Sequence, residues 1–188
     1  KTGYGILSDP NTLNATPYAD VLDLSTSWGL VGSAYNDWGN AGPDAPFYKT
    51  DEAGVYVCYV TLMDGKWKIR KDNDWAVNYG DKTLDGIFDT EGDNDIPATA
   101  GTYKIVFNES TLTYMIEKYS WGIVGSVYND WGNAGLDAPL LYDSYSDTWK
   151  AVVTLKTGDM KIRLNNEWNV NYGDKTLDGI LDTENENN

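Results

Sequence analysis

The stretch Trp67–Lys71, "WKIRK", returns 93 positions later as "MKIRL" at Met160–Leu164. Side chains on a strand alternate between its two faces, so Trp67 and Ile69 share one face and Lys68 and Arg70 the other. In the second version Met160, Ile162 and Leu164 form the apolar row, and Lys161 and Arg163 point the opposite way. A Trp-to-Met exchange suits a core position, while the Lys-Ile-Arg alternation is kept. The period is that of a strand. Around it, "WGLVGS" (28–33) and "VYVCYVTL" (55–62) are rich in β-branched and aromatic residues. "TYKIVF" (102–107) and "TLTYMI" (111–116) flank Asn108-Glu109-Ser110, which reads as a hairpin turn. Helical periodicity is absent. Several short strands in about 90 residues predict an all-β chain built of tandem immunoglobulin-like β-sandwiches.

The recurrence is not confined to five residues. Ser27–Asp95 aligns without a gap on Ser120–Asn188, and 41 of the 69 pairs are identical. A period of 93 suits a small domain and is too long for a solenoid unit. The expected division is a linker or tail of a preceding domain over 1–26, a first module over 27–118, and a second over 119–188. The second copy has no counterpart of Ile96–Lys118, which holds two predicted strands. Such a sandwich would expose strand edges and half its core. The expectation is therefore a chain that is part of a longer protein, or strands supplied from elsewhere. A joint of only three residues, Lys118–Ser120, predicts restricted motion between the modules.

Composition narrows the partners. The formal net charge is -15, with 29 acidic against 14 basic residues, so nucleic acid and anionic lipid surfaces are disfavoured. A neutral ligand meets no such repulsion. The chain has no histidine and one cysteine, Cys58, replaced by Ala151 in the second copy. Disulfide frameworks, His-dependent triads and His- or Cys-based metal sites are excluded, and no cofactor is expected. No apolar run is long enough to span a membrane as a helix. With 8 Trp and 14 Tyr against 3 Phe, the aromatics favour rings with a polar handle, which suit a wet binding surface.

Trp28 and Trp121, opening strands before "VGS", are expected in the core. Trp38 and Trp131 sit instead in an "NDWG" turn, and Trp75 and Trp168 precede a "VNYG" turn 37 residues later. Each pair brackets the Lys/Arg row, with Asn73 and Asn78, or Asn166 and Asn171, close by. Pyranose rings have apolar faces that stack on indole and rims of hydroxyls that take Arg, Lys and Asn groups. The glycan-binding set is thus Trp38, Lys68, Arg70, Asn73, Trp75 and Asn78 in the first module. In the second it is Trp131, Lys161, Arg163, Asn166, Trp168 and Asn171. Against this, the cations could simply pair with carboxylates of an acidic chain, and aromatic-plus-Arg patches also make protein interfaces.

The motifs "WGLVGSAYNDWG", "WKIRKDNDWAVNYG", "LDGIFDTEGDNDIP" and "GTYKIVFNESTLTYMI" resemble SusE/SusF-type outer-membrane glycan-binding proteins of Bacteroidetes. The likeness covers nearly all of 27–188, and the first motif also resembles the "VGxxNxW" opening of starch-binding modules on amylases. The resemblance implies tandem β-sandwich carbohydrate-binding modules on a lipid-anchored surface protein. Such proteins capture starch or another α-glucan beside the other components of an outer-membrane import system. It carries the starch site onto Trp38, Trp75, Lys68 and Arg70, and onto Trp131, Trp168, Lys161 and Arg163. The lipidation cysteine of the pattern is absent from this chain. A non-starch glycan is an alternative for the same platform. Two readings of a different kind remain. A glycoside hydrolase would use loop carboxylates such as Asp37/Asp130, Asp85/Asp178 or Asp89/Asp182. A calcium-dependent adhesion module would use Asp89, Glu91, Asp93 and Asp95, at a spacing without the EF-hand Gly and terminal Glu. Duplication favours binding over catalysis, because linked binding modules gain avidity.

Overall fold

The computed structural model describes residues 22–90 and 94–182. The greater part of the 1–26 tail, and Glu91 and Asp93 of the acidic loop, lie outside them. Strand β1 (Ser25–Val31) is followed by β2 (Ala45–Lys49), β3 (Val55–Leu62), β4 (Gly65–Lys71) and β5 (Asp74–Tyr79). Then come β6 (Ile96–Ala98), β7 (Gly101–Asn108) and β8 (Thr113–Lys118). The order across the sheet is β5-β4-β1-β2-β3-β7-β8, with β6 on β4, and all pairs are antiparallel. No α-helix occurs among the described residues. The fold is all-β.

The sheet curls until its ends face each other, and that makes the sandwich. Trp67 on β4 meets Tyr114 on β8 edge-on at 5.6 Å, and Phe88 stacks on Tyr114 at 4.5 Å. The segment carrying Phe88 bridges the two ends, pairing Gly80 with Asp89 and Ile87 with Thr113. Between the halves lie Leu30, Phe47, Cys58, Leu62, Trp67, Ile69, Ile105 and Phe107, all fully buried. Burying one such side chain is worth about 1.5–3 kcal/mol. The predicted division of β4 holds on this face: Trp67 and Ile69 are in the core. So is Trp28, at 5.2 Å from Phe107.

Three details differ from the expectation. Trp75 is not on a loop; it is the second residue of β5, an edge strand whose exposed side chains give no alternation to read. The β7–β8 turn runs on to Leu112, since the Asn108 side chain accepts from Ser110 and Thr111 and Leu112 takes φ 56°. Most consequential, Lys68 and Arg70 point away from the core but are buried. A loop over residues 32–44 lies across that face.

The second repeat forms β9 (Trp121–Gly125), β10 (Ala138–Pro139), β11 (Leu141–Asp143), β12 (Thr148–Lys150), β13 (Met160–Leu164) and β14 (Asn171–Tyr172). One sheet runs β10-β9-β13-β14, and β11 pairs only with β12. Residues 151–157, aligned on most of β3, form no strand. Met160, Leu155 and Leu181 are exposed where their partners Trp67, Leu62 and Phe88 are buried. Between the repeats, Tyr59 on β3 packs against Tyr119, Tyr142 and Trp149, and Tyr48 packs against Tyr142.

Candidate functional site

The site begins with Asn36. Its side-chain oxygen accepts from the N–H groups of Gly32 (3.2 Å) and Gly39 (3.1 Å), while its amide donates to Gly42 O, Pro43 O and Asp44 Oδ1. A buried amide with every group satisfied fixes the course of the whole loop. Within it Asp37 (φ 48°) and Trp38 (φ 59°) take left-handed backbone, which costs an L-residue about 1–2 kcal/mol each. That conformation lifts the Trp38 ring over β4–β5. Gly39 follows at φ 93°, and a Cβ there would sit 2.6 Å from Arg70 Nη2. Only glycine fits.

Asp44 is the loop's anchor on the sheet. Its carboxylate accepts from Arg70 Nε at 2.6 Å and Nη2 at 2.8 Å, a buried bidentate pair. Gly29 on β1 lets it approach, since a Cβ there would lie 2.5 Å from Asp44 Cβ. Hydrogen bonding to Asp44 pushes the Arg70 pKa up, against the opposing effect of burial. The guanidinium lies under Trp75, 4.5 Å from the ring centroid. Trp75 and Trp38 sit 6.1 Å apart at 43°, a tilted pair. Arg70 holds one side of Trp75, and the residue is 45% exposed.

The predicted asparagines are engaged with protein groups. Asn73, with Asp72 at positive φ, makes the two-residue turn between β4 and β5, and its oxygen accepts from Asp44 N–H at 3.2 Å. Asn78 accepts from Lys68 Nζ at 3.3 Å and donates to Trp75 O at 2.8 Å. Lys68 also lies 3.8 Å from Asp95. The structure thus brings the whole predicted set together, with the tryptophans at the surface and the polar members beneath. The cations do pair with carboxylates, Arg70 with Asp44 and Lys68 with Asp95, and the Arg70 pair lies beneath Trp75.

The second repeat reproduces this closely. Asn129 accepts from Gly125 and Gly132 and donates to Gly135 O and Asp137. Asp137 takes Arg163 at 2.6 and 2.9 Å, and Arg163 lies 4.4 Å from Trp168. Trp131 and Trp168 are 6.1 Å apart at 40°. Asn166 accepts from Asp137 N–H; Lys161 donates to Asn171 at 3.3 Å. Trp168 is 47% exposed.

Sequence reasoning missed Asn36/Asn129 and Asp44/Asp137. Their copying in "YNDWGNAG" and "DAP" was the available signal, but the Asp–Arg contact spans 26 residues and no spacing rule finds it. Four of the six carboxylates considered for hydrolysis act as turn caps: Asp85 accepts from Ile87 N–H, Asp178 from Ile180 N–H, Asp89 from Lys82 N–H and Asp182 from Lys175 N–H, while Asp37 accepts from the Asn40 amide at 3.4 Å. Of the acidic-loop residues, Asp95 faces Lys66 and Lys68. Among the described residues no cluster of three or more metal-type ligands occurs.

No family model matches the chain, and no curated protein matches it. Among solved structures it is similar to SusF from Bacteroides thetaiotaomicron, at 18% identity over 85% of this chain and with a TM-score of 0.40. The chain spans 40% of the length of that structure.

Proposed function

We propose that the chain is a non-catalytic polysaccharide-binding protein with one aromatic site per repeat, and that its ligand is starch or another α-glucan. The observation that carries this is the duplicated assembly of two tilted indoles over a buried Asp–Arg pair. The indole faces stack on the apolar faces of sugar rings, and the 43° tilt suits a curved rather than a flat chain. A neutral polymer is also the ligand least repelled by a net charge of -15. Each open site buries little of its ligand and binds weakly; two on one polymer gain avidity.

Display on the bacterial outer membrane through a lipid anchor, beside the components of a glycan import system, belongs to the same proposal and rests on the motif resemblance. No helix among the described residues is long and apolar enough to cross a membrane. The test is retention on insoluble α-glucan, compared with β-glucan, mannan and fructan gels. Trp75→Ala with Trp168→Ala is expected to abolish retention, and either change alone to weaken it. Retention of the double variant at the parent level would refute the site. Release of reducing ends from soluble glucan would refute the non-catalytic reading.

A further inference from the structure

Beside the first aromatic pair lies a polar notch of about 470 Å3 that the two tryptophans do not fill. Thr26, Ser27, Gly29, Asp44, Asp72 and Asn73 line it. It shares Asp44 and Asn73 with the polar groups beneath the aromatic pair. Asp44 faces the notch and also holds Arg70 beneath Trp75. Asn73 stands two positions before Trp75 and ties the turn to Asp44. Thr26 is occupied, donating to Phe47 O at 2.6 Å. Among the described residues, the Ser27 hydroxyl, the Asp72 carboxylate and the Asn73 amide nitrogen make no hydrogen bond within the chain. These are one hydroxyl, one anionic acceptor and one amide donor. Such a set takes vicinal hydroxyls, and Asp72 offers the charge-assisted acceptor that strengthens them.

The second repeat lacks this arrangement although its indoles and Asp–Arg pair match. Asn165 stands for Asp72, with the same φ of 57°. Its oxygen accepts from Ser120 N–H and its amide donates to Lys118 O, so the turn is tied to the joint between the repeats. Tyr119 replaces Thr26 and packs against Trp121 and Trp149. The contrast lies at Asp72: its carboxylate is open in the first repeat, whereas Asn165 is bonded in the second.

We propose that the notch is an additional subsite of the first site, taking a further neutral sugar unit of the same glycan chain. The two sites then differ in the length of ligand they recognise. This rests on the glycan-binding reading above. The test uses the full chain with Trp168→Ala, so that only the first site reports, titrated calorimetrically with maltotriose and with maltoheptaose. Asp72→Asn is the informative change, because the second repeat already folds with Asn in that geometry. Maltoheptaose is expected to bind more tightly than maltotriose. Asp72→Asn is expected to lower the heptaose affinity at least about five-fold and leave the triose affinity in place. Ser27→Ala acts in the same direction, less strongly. An unchanged heptaose-to-triose ratio in Asp72→Asn, with Trp75→Ala still abolishing binding, overturns the notch and leaves the aromatic site standing. Equal loss for both sugars also overturns it. If the Trp168→Ala chain binds neither sugar, the α-glucan reading and the subsite fall together.

Discussion

The two repeats carry the same site on unequal foundations. Trp28 is buried against Phe107 in the first, and its counterpart Trp121 is only half-buried, yet each tilts at 34° against the following tyrosine, Tyr79 or Tyr172. Trp67 is enclosed, while Met160 in the same register is 43% exposed. The indole pair, the Asp–Arg pair and the asparagine bonds nevertheless agree to within a few tenths of an ångström. The outer face therefore does not depend on the core under it. It is fixed by a strand pair, a two-residue turn and a loop closed on one buried asparagine, all within reach of each other by hydrogen bonds. Hydrophobic burial stabilises the sandwich; polar geometry shapes the site.

That contrast can be broken at several points. Trp67→Ala opens the first core and is expected to cost about 3–5 kcal/mol, whereas Met160→Ala stays within about 0.5 kcal/mol. Urea denaturation of both variants measures the difference, and equal costs would show that the second repeat has a core of its own. Asp44→Ala leaves the Arg70 guanidinium buried without its partner, at about 3–5 kcal/mol. It should also release Trp75 and remove the first site from glucan retention. Asp137→Ala repeats the loss of site in the second, and the two retention losses should match even if the stability losses do not.

A smaller effect is expected at the ring cluster between the repeats. Tyr59→Ala removes the ring that touches Tyr119, Tyr142 and Trp149. Retention on polymer should fall on the order of tenfold as the two sites lose their fixed spacing, with oligosaccharide affinity unchanged. A parallel fall for oligosaccharide would mean that the cluster supports a site directly. Smallest is a pH effect at Asp81 in the first repeat. Burial works against ionisation of Asp81, but the N–H groups of Gly86 and Leu84 and the Tyr114 hydroxyl hold its carboxyl below the usual range. A carboxyl depressed in the folded state stabilises above its ordinary pKa, and that contribution is lost as pH falls through the folded value. Melting temperature should therefore drop as pH falls below the ordinary aspartate pKa of about 3.9. Tyr114→Phe, in the segment without a repeat partner, should make that drop shallower; an unaltered slope would remove Asp81 as its source.

Much of this was legible without coordinates. The alternation in "WKIRK" placed Trp67 and Ile69 in the core, and the copied "NDWG" and "NDW/NEW" segments marked the two tryptophans of each indole pair. These features are local, with periods of two or exact repeats, and sequence carries local information well. The edge strand β5 was not legible because its residues face solvent on both sides and Trp75 stands at its very start.

What only the tertiary structure decided is how the polar residues are used. A Lys/Arg row on the outer side of a strand reads as solvent-facing until a loop 26 residues away in the chain brings Asp44 onto it. The buried Arg70 pair and the bond from Asp44 N–H to Asn73 follow from that one long-range closure. The sequence determined which rings are repeated and that Lys68 and Arg70 stand on the face of β4 opposite Trp67 and Ile69. The fold decided which polar atoms remain for a ligand, because a hydrogen bond depends on where its partner comes to rest and leaves no periodic trace in the chain.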